Sequence, residues 1–377
     1  MPKASGLRSV GYFDCPGGGQ VAVEGRLAFI GHMSAPDGTS IVDIGDPRNP
    51  RLLTRIEVPA RTHSHKVRVG GGLMLVNHEL HIQYGDQPPE DFSGGYSVYD
   101  ISNPSTPKHL YRWNEKGRGV HRFDFDGRYG YLSPTLSGYV GNIVMIVDFA
   151  NPENPQEVGR WWEPGQWIAG GEEPAWAGTE HRCHHPLRLG NRLYTSYWMG
   201  GMNILDIDDI SKPQRVSHMS WTPPYACPVH TALPLPFQIN GRALLIVAEE
   251  DVVRMPEQPA AALWVLDITD EKHPFPIGSY QVDELETSPV PTYSGCHQPS
   301  EKIFDAEIPV AYFAQGLRIL DISRPRAIRE VAYFVPDPAP GHQRAQSNDV
   351  TVDERGLIYL IDRHRGLHIL ERIATNR

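Results

Sequence analysis

Short apolar runs alternate with polar turns along the whole chain, and one such pattern recurs. An apolar run ends in aspartate, a proline-containing polar turn follows, and a second run comes next, as in SIVDIGDPRNPRLLTRI and YSVYDISNPSTPKHLYRW. Runs of this length between turn residues predict β-strands rather than helices. The aspartates that end these runs are Asp43, Asp100, Asp148, Asp206, Asp267 and Asp321.

The spacing of these aspartates indicates the architecture. Neighbouring ones lie 48 to 61 residues apart, which is enough for four short strands and their loops, the content of one β-propeller blade. A seventh copy begins as LHILER near Glu371, and SVGYFDC at residues 9–15 matches the outermost strand of the other copies. We therefore predict an all-β, seven-bladed β-propeller whose ring is closed by an N-terminal strand that completes the last blade.

The repeat also gives the expected domain organisation. We predict a single domain over residues 1–377, with a tryptophan-rich loop at 161–182. The expected blades are residues 18–62, 63–119, 120–164, 183–224, 228–284, 296–337, and 347–377 together with 8–15.

Composition narrows the classes of partner. The formal net charge is −10 and no dense Lys/Arg run occurs, so we expect neither a nucleic acid nor an anionic membrane as partner. No run approaches the roughly 18 apolar residues of a membrane helix, and the N-terminus lacks a secretory signal pattern. The four cysteines do not form a disulfide framework for a chain of this size. We expect a soluble cytoplasmic protein, and the sequence is compatible with a homo-oligomer.

The repeated element I/L-V-D-I-x-[DN]-P-x-x-P resembles that of the LVIVD-repeat family of bacterial β-propeller proteins. The resemblance extends over nearly the whole chain and implies the propeller fold. It does not imply a particular function, because propellers carry many unrelated activities.

Histidine is the residue type that points to chemistry. Aligning LMLV (73–76), YGYL (129–132) and LYTS (193–196) places histidines at one repeated position, at the start of the first strand of each copy. Two further copies begin their first strand with histidine, whereas the seventh copy has Asn348 there and the first has glycine. First strands line the channel of a propeller, so these imidazoles are predicted to converge. The five histidines are His65, His121, His185, His230 and His297.

Converging imidazoles predict a metal site. Side chains from different strands can meet at the roughly 2 Å ligand distances of a divalent transition metal, here Fe, Mn, Cu or Zn. The alternative is a polar, water-filled channel in which histidine simply repeats with the blade. Carboxylates on the same face would orient the imidazoles or transfer protons together with a further histidine. The predicted catalytic residues are Glu79, Glu249, Glu250 and His184.

Long loops are predicted to cover the channel mouth. The loop at 161–182 carries four of the eight tryptophans, with Gly170, Gly171 and Gly178 as bend points, and reads as a substrate cover. The alternative is packing between blades or against another subunit. Insertions at 78–95 and 249–261 would stand over the same mouth. The predicted substrate pocket comprises His63, Trp167, Trp176, Asn348, Arg363 and Arg365, with the two arginines placed to clamp a carboxylate or phenolate.

The cysteines allow two interpretations. Cys15, Cys183, Cys227 and Cys296 fall in loops that enter first strands. As thiolates they could bind copper or zinc or take part in redox chemistry, whereas as small buried residues they need no such role.

These features favour a metal-dependent enzyme that acts on a small organic substrate, with oxidative chemistry preferred. The arrangement is similar in architecture to carotenoid-cleavage oxygenases, propellers that hold Fe(II) with axial histidines. It also resembles the selenium-binding proteins, in which a histidine copper site oxidises methanethiol. The alternatives are a metal-dependent lyase or hydrolase, and a non-catalytic interaction scaffold or metal-binding protein.

Overall fold

The computed structural model describes residues 2–81, 83, 89–176, 179–221, 225, 227–252, 260–283 and 293–373. Within these ranges the chain is all-β, with a 3₁₀ turn at Ile168–Gly170. The class predicted from the apolar pattern is therefore confirmed. The bend point Gly178 and parts of the predicted insertions at 78–95 and 249–261 lie outside the described residues.

The aspartate that recurs in the sequence has a local structural role. In each copy its carboxylate accepts a hydrogen bond from the backbone N–H two residues further on, the Asx turn that aspartate forms readily. Gly45 N–H and Asp43 Oδ1 are 2.8 Å apart, as are Ser102 N–H and Asp100 Oδ1. The other four aspartates make the same bond. The repeat motif thus ends the third strand of each copy in a fixed turn.

The strands of residues 18–57 follow one another along the chain and pair in that order. They are Gly18–Glu24, Leu27–His32, Asp37–Asp43 and Arg51–Glu57.

The chain divides into two compact units. Unit 1 comprises Met1–Ala28, Val42–Arg51 and Trp221–Arg377, and unit 2 comprises Phe29–Ile41 and Leu52–Ser220. Each unit is described separately below.

Unit 2 repeats an antiparallel arrangement of four strands in which consecutive strands pair, and its first copy has in addition the short strand Thr62–His63, which pairs with Leu73–Leu80. Its apolar core includes Leu75, Phe123 and Met145, all nearly inaccessible to solvent. Burial of such alternating side chains is the main stabilising contribution. Its strands are Thr62–His63, Val67–Gly70, Leu73–Leu80, Ser93–Asp100 and Lys108–Lys116; Val120–Phe125, Tyr129–Pro134, Val144–Asp148 and Gln156–Trp161; and His181–Leu189, Arg192–Trp198, Met202–Asp206 and Gln214–Met219.

Unit 1 uses the same arrangement, with N-terminal strands added to its last two sheets. The core includes Leu317, Leu360 and Leu370. The strands are Val229–Pro234, Leu244–Glu249, Leu263–Asp267 and Phe275–Tyr280; Gln298–Pro299, Glu307–Ala311, Leu317–Asp321, Arg329–Val335 and Lys3–Ser5; and Ser347–Val352, Ile358–Asp362, Gly366–Arg372 and Leu7–Asp14.

The N-terminal strand completes the last sheet of unit 1. Leu7–Asp14 pairs antiparallel with Gly366–Arg372, with Tyr12 opposite His368. Consequently, a strand from the N-terminal part of the chain takes the fourth place of the sheet, after the three strands contributed by the C-terminal part. Among the described residues, no helix has the length and apolar character to cross a membrane.

Candidate metal centre

The strand register identifies one repeated position at the start of each first strand. In unit 2, a side chain of the second strand accepts a hydrogen bond from a first-strand N–H, and the residue before that N–H is a histidine in every case. The bonds are Lys66 N–H to Asn77 Oδ1 at 2.8 Å, Arg122 N–H to Ser133 Oγ at 2.9 Å, and His185 N–H to Ser196 Oγ at 3.0 Å. The histidines are therefore His65, His121 and His184.

The predicted alignment was off by one residue in this copy, because His184 and not His185 occupies the repeated position. Tyr129 pairs with the turn aspartate Asp148, and the residue that pairs with the corresponding Asp206 is Arg192. An alignment that begins at Leu193, the start of the apolar run, instead of at Arg192 shifts the whole copy by one residue. The Cys-His dipeptide at 183–184 and 296–297 was the sequence signal that could have given the correct register.

His63, in the short strand Thr62–His63, lies beside His65 at the repeated position. Its Nδ1 lies 2.5 Å from the Met33 carbonyl oxygen, and a carbonyl only accepts, so Nδ1 carries the proton and Nε2 the lone pair. Its ring stacks on His65 at 3.7 Å between centroids. Ligand atoms of His63, His65 and Glu79 all lie within 4.8 Å of one another, a group that could hold a metal ion. The sequence predicts His63 in the substrate pocket and Glu79 as a catalytic residue.

Glu79, His121 and His184 form a chain of contacts. Glu79 Oε2 is 2.8 Å from His121 Nδ1, and His121 Nε2 is 2.8 Å from His184 Nε2. The carboxylate accepts from Nδ1–H, so His121 Nε2 carries the lone pair and receives the N–H of His184. A carboxylate that fixes the tautomer of an imidazole through Nδ1 is the usual support of a metal-ligating histidine.

Burial favours the neutral form of three of these imidazoles. It lowers the pKa of His63 to about 4 and the pKa values of His65 and His121 well below 6.5, and the cations Lys66 and Arg122 lower the latter two further. Burial also raises the pKa of Glu79. Neutral imidazole is the form that binds metals, and a bound cation would favour the ionised form of Glu79.

An aromatic ring fixes the orientation of His184. Trp198 stacks on it with 4.9 Å between centroids and 26° between planes, and Arg182 lies over the Trp198 ring at 4.2 Å. Trp198 has φ = 54°, a left-handed conformation that is unfavourable for a bulky side chain and is retained where surrounding structure enforces it. We call His63, His65, Glu79, His121 and His184 the unit 2 set.

Unit 1 presents the same repeated position. There the residue pairs Thr231 with Ala248, Gln298 with Ala311, and Asp349 with Ile361 correspond to the pair of His185 with Ser196 in unit 2. The preceding residues are His230, His297 and Asn348. Their placement at one repeated position agrees with the sequence alignment.

Glu250 faces both histidines of unit 1. His230 Nε2 is 4.0 Å from Glu250 Oε2, and His297 Nε2 is 3.5 Å from Glu250 Oε1. The opposite ring nitrogens are anchored. His230 Nδ1 lies 2.8 Å from Thr231 Oγ1, whose hydroxyl donates to Gln298, and His297 Nδ1 donates to the Asn348 carbonyl oxygen.

The last copy of unit 1 contributes a cation beside these groups. Arg363 donates from Nε to Asn348 Oδ1 at 2.6 Å and lies over the rings of Phe313 and Tyr293. Phe313 also stacks on His297 at 4.3 Å and has φ = 36°, like Trp198 in unit 2. We call His230, Glu250, His297, Asn348 and Arg363 the unit 1 set.

Glu249 and Arg365 lie in different surroundings. Glu249 occupies the second-strand position that Tyr197 occupies in unit 2. Its carboxylate accepts a hydrogen bond from Ala262 N–H at 2.9 Å, and burial raises its pKa to about 7. Arg365 donates to the carbonyl oxygens of Asp337 and Pro338 at 3.2 and 3.1 Å. Its guanidinium is thus engaged with backbone.

The tryptophans of the predicted cover separate into two groups. Trp176 stacks on His181 at 4.6 Å, and His181 Nδ1 is 3.2 Å from Glu163 Oε2. Trp167 packs against Trp162 and is 41% exposed. The function of this loop as a cover stays a prediction.

All four cysteines are buried, and none forms a disulfide among the described residues. Burial raises the pKa values of Cys183 and Cys296 far above those of ordinary thiols. The protonated thiol is favoured, which supports the packing interpretation over a thiolate ligand.

Comparisons with known proteins identify the fold. The chain resembles the β-propeller domain of Cps50 (Swd1) from Myceliophteria thermophila, with 12% identity and a TM-score of 0.61 over 96% of this chain and 99% of that one. It is similarly close to the WD40 β-propeller domain of Doa1, with 9% identity and a TM-score of 0.60 over 97% of both chains. At these identities the likeness shows the fold alone.

The chain is therefore a β-propeller. One of its copies, residues 91–114, matches the LVIVD repeat, so it is a repeat propeller, as the sequence motif indicated. No curated protein sequence matches the chain significantly.

Proposed function

We propose that this propeller is a metal-dependent enzyme whose unit 2 set binds a divalent transition metal and which acts on a small organic substrate. The observation that carries the proposal is the Glu79–His121–His184 chain beside the group of His63, His65 and Glu79. It supplies neutral imidazoles, a carboxylate and second partners that fix their tautomers.

Oxidative chemistry is the reaction class that we prefer. A donor set of neutral imidazoles and one carboxylate suits Fe, Mn, Cu or Zn, and the first three can exchange electrons with a substrate or with dioxygen. The role of the chain's own residues is to hold such an ion in a buried site. His230 and His297, with Glu250 between them, are proposed as a further donor group.

A lyase or hydrolase is the second candidate. The specific observation in its favour is that Glu79, His121 and His184 form a hydrogen-bonded chain. Such a chain can accept a proton at one end and release one at the other, which is general acid–base chemistry.

Elemental analysis of the purified full-length protein, grown without added metal, tests the proposal. The variants are His121→Ala combined with His184→Ala, and His273→Ala as control because His273 is exposed and pairs with Asp270. We expect near-stoichiometric Fe, Mn, Cu or Zn in the wild type and the control, and its loss from the double variant with the fold retained by circular dichroism.

The absence of metal, even after reconstitution, would contradict the proposal and favour an interaction scaffold. That role has structural relatives, since one similar chain was solved in a mitotic checkpoint complex, with 12% identity and a TM-score of 0.60 over 98% of this chain and 91% of that one. The count of seven blades and the closure of the ring by the N-terminal strand stay predictions.

A further inference from the structure

We propose that the unit 1 set binds a carboxylate through the terminal nitrogens of Arg363, so that the substrate of this propeller is a small aromatic acid. The inference rests on the proposed function only in assigning the acid the role of substrate. The anion site itself is defined by the surroundings of Arg363.

The Arg363 guanidinium is held at one edge. Its Nε donates to Asn348 Oδ1 at 2.6 Å, and the Asn348 amide is fixed in turn because its Nδ2 donates to the Gly19 carbonyl oxygen. The same residue's backbone carbonyl accepts from His297 Nδ1. The guanidinium plane is thereby tied to the position that carries histidine in the other copies of unit 1.

The other edge of Arg363 is available to a ligand. In the part of the chain that the structure describes, no side chain or carbonyl accepts a hydrogen bond from Nη1 or Nη2. Burial lowers the pKa of Arg363, partly offset by the charge of Glu250, yet a guanidinium stays charged in proteins. A half-buried cation with two parallel donors is suited to an anion with two oxygens, which favours a carboxylate over a phenolate.

The walls of the site favour an aromatic ring on that acid. The Arg363 guanidinium lies 5.8 Å from the Tyr293 ring centre and 5.6 Å from that of Phe313. Tyr293 is 40% exposed, so its ring presents apolar surface to an incoming molecule. Offset or edge contacts between aromatic rings add to the apolar area that binding removes from water.

Arg365 provides a matched control two residues away. Its Nε and Nη2 already donate to the carbonyl oxygens of Asp337 and Pro338. Replacement of arginine by lysine therefore removes the two parallel donors that would bind a carboxylate at Arg363. At Arg365 the same change removes only hydrogen bonds to backbone carbonyl oxygens. Both changes retain the charge.

The test is titration of benzoate into the full-length protein after metal removal with a chelator, followed by NMR, with benzamide as the uncharged probe. We expect wild type and Arg365→Lys to bind benzoate alike, Arg363→Lys to bind it about tenfold more weakly or worse, and benzamide to bind much more weakly than benzoate. Metal removal ensures that the carboxylate is not captured by an ion, so a protein that never holds metal still gives a valid result.

Equal binding of benzoate to Arg363→Lys and wild type would overturn the proposal. So would equal binding of benzamide and benzoate, or the absence of benzoate binding by the wild type. A loss of binding in Arg365→Lys but not in Arg363→Lys would place the anion at the other arginine and would also contradict it.

Discussion

The two units carry different side chains at the same repeated position of their first strands. In unit 2 the repeated first-strand position carries His65, His121 and His184, whereas in unit 1 it carries His230, His297 and Asn348. The residue type at the end of the second strand differs as well, because Trp198 accompanies His184 and Arg363 accompanies Asn348. The backbone repeat therefore fixes where a side chain stands, and the residue type at that place decides whether the copy offers an imidazole or a guanidinium.

This difference makes unit 2 a better candidate for a metal site than unit 1. Unit 2 has three imidazoles at the repeated position, joined by His63 and Glu79, whereas unit 1 has two with Glu250. Protein metal sites that catalyse reactions commonly use three protein ligands with a position left open. Unit 2 has three imidazoles at the repeated position, while Arg363 in unit 1 is proposed to bind an anion.

The largest expected effect is the loss of metal when the unit 2 imidazoles are removed. His121→Ala with His184→Ala should lower the metal content at least tenfold, because only His65 then remains of the three imidazoles at the repeated position. His230→Ala with His297→Ala in unit 1 is the matched pair and should lower it less. Elemental analysis of both double variants decides, and the opposite order would refute the ranking.

The next largest effect is expected from the carboxylate that orients His121. Glu79→Ala removes the acceptor of His121 Nδ1–H and should weaken metal binding by about 10- to 100-fold. Affinity is measured by competition with a chromophoric chelator. An unchanged affinity would show that Glu79 neither binds the ion nor fixes the His121 tautomer.

A smaller change is expected from the ring that supports His184. Trp198→Leu should weaken metal binding a few-fold and alter the visible spectrum of the Co²⁺-loaded protein, because the imidazole loses its stacking partner. Trp198→Phe keeps an aromatic surface and should restore the spectrum. If Trp198→Leu lowers only the thermal stability, with spectrum and affinity unchanged, Trp198 has no positioning role.

The smallest effect concerns a buried histidine outside both sets. Burial lowers the pKa of His368 to about 4, so protonation favours the unfolded chain, and stability falls as the pH decreases from about 6.5 towards 4. His368→Leu should remove this pH dependence. The free energy of unfolding of the variant, relative to that of the wild type, should therefore be about 1–2 kcal/mol higher at pH 5 than at pH 8. Urea unfolding at both pH values checks it, and an equal effect at the two would contradict it.

The sequence predicted the strands because their apolar runs and aspartate turns are local features. It also predicted His65, His121, His230 and His297 at the repeated position, because the apolar runs of the copies could be aligned with one another. His184 was missed as the repeated residue because Leu193, not Arg192, was aligned with Tyr129. The role of His63 beside His65 and Glu79 depends on the Met33 carbonyl, a contact between distant segments that spacing along the chain does not reveal.

X-ray absorption at the edge of the bound metal tests the central claim most directly. The unit 2 set predicts imidazole nitrogens at about 2.0–2.1 Å from zinc, with the multiple scattering of two or more rings. After reconstitution with excess metal, the variant carrying His121→Ala and His184→Ala should show a reduced imidazole signal. A shell of oxygen alone, or a spectrum identical in wild type and variant, would contradict the assignment of the metal to unit 2.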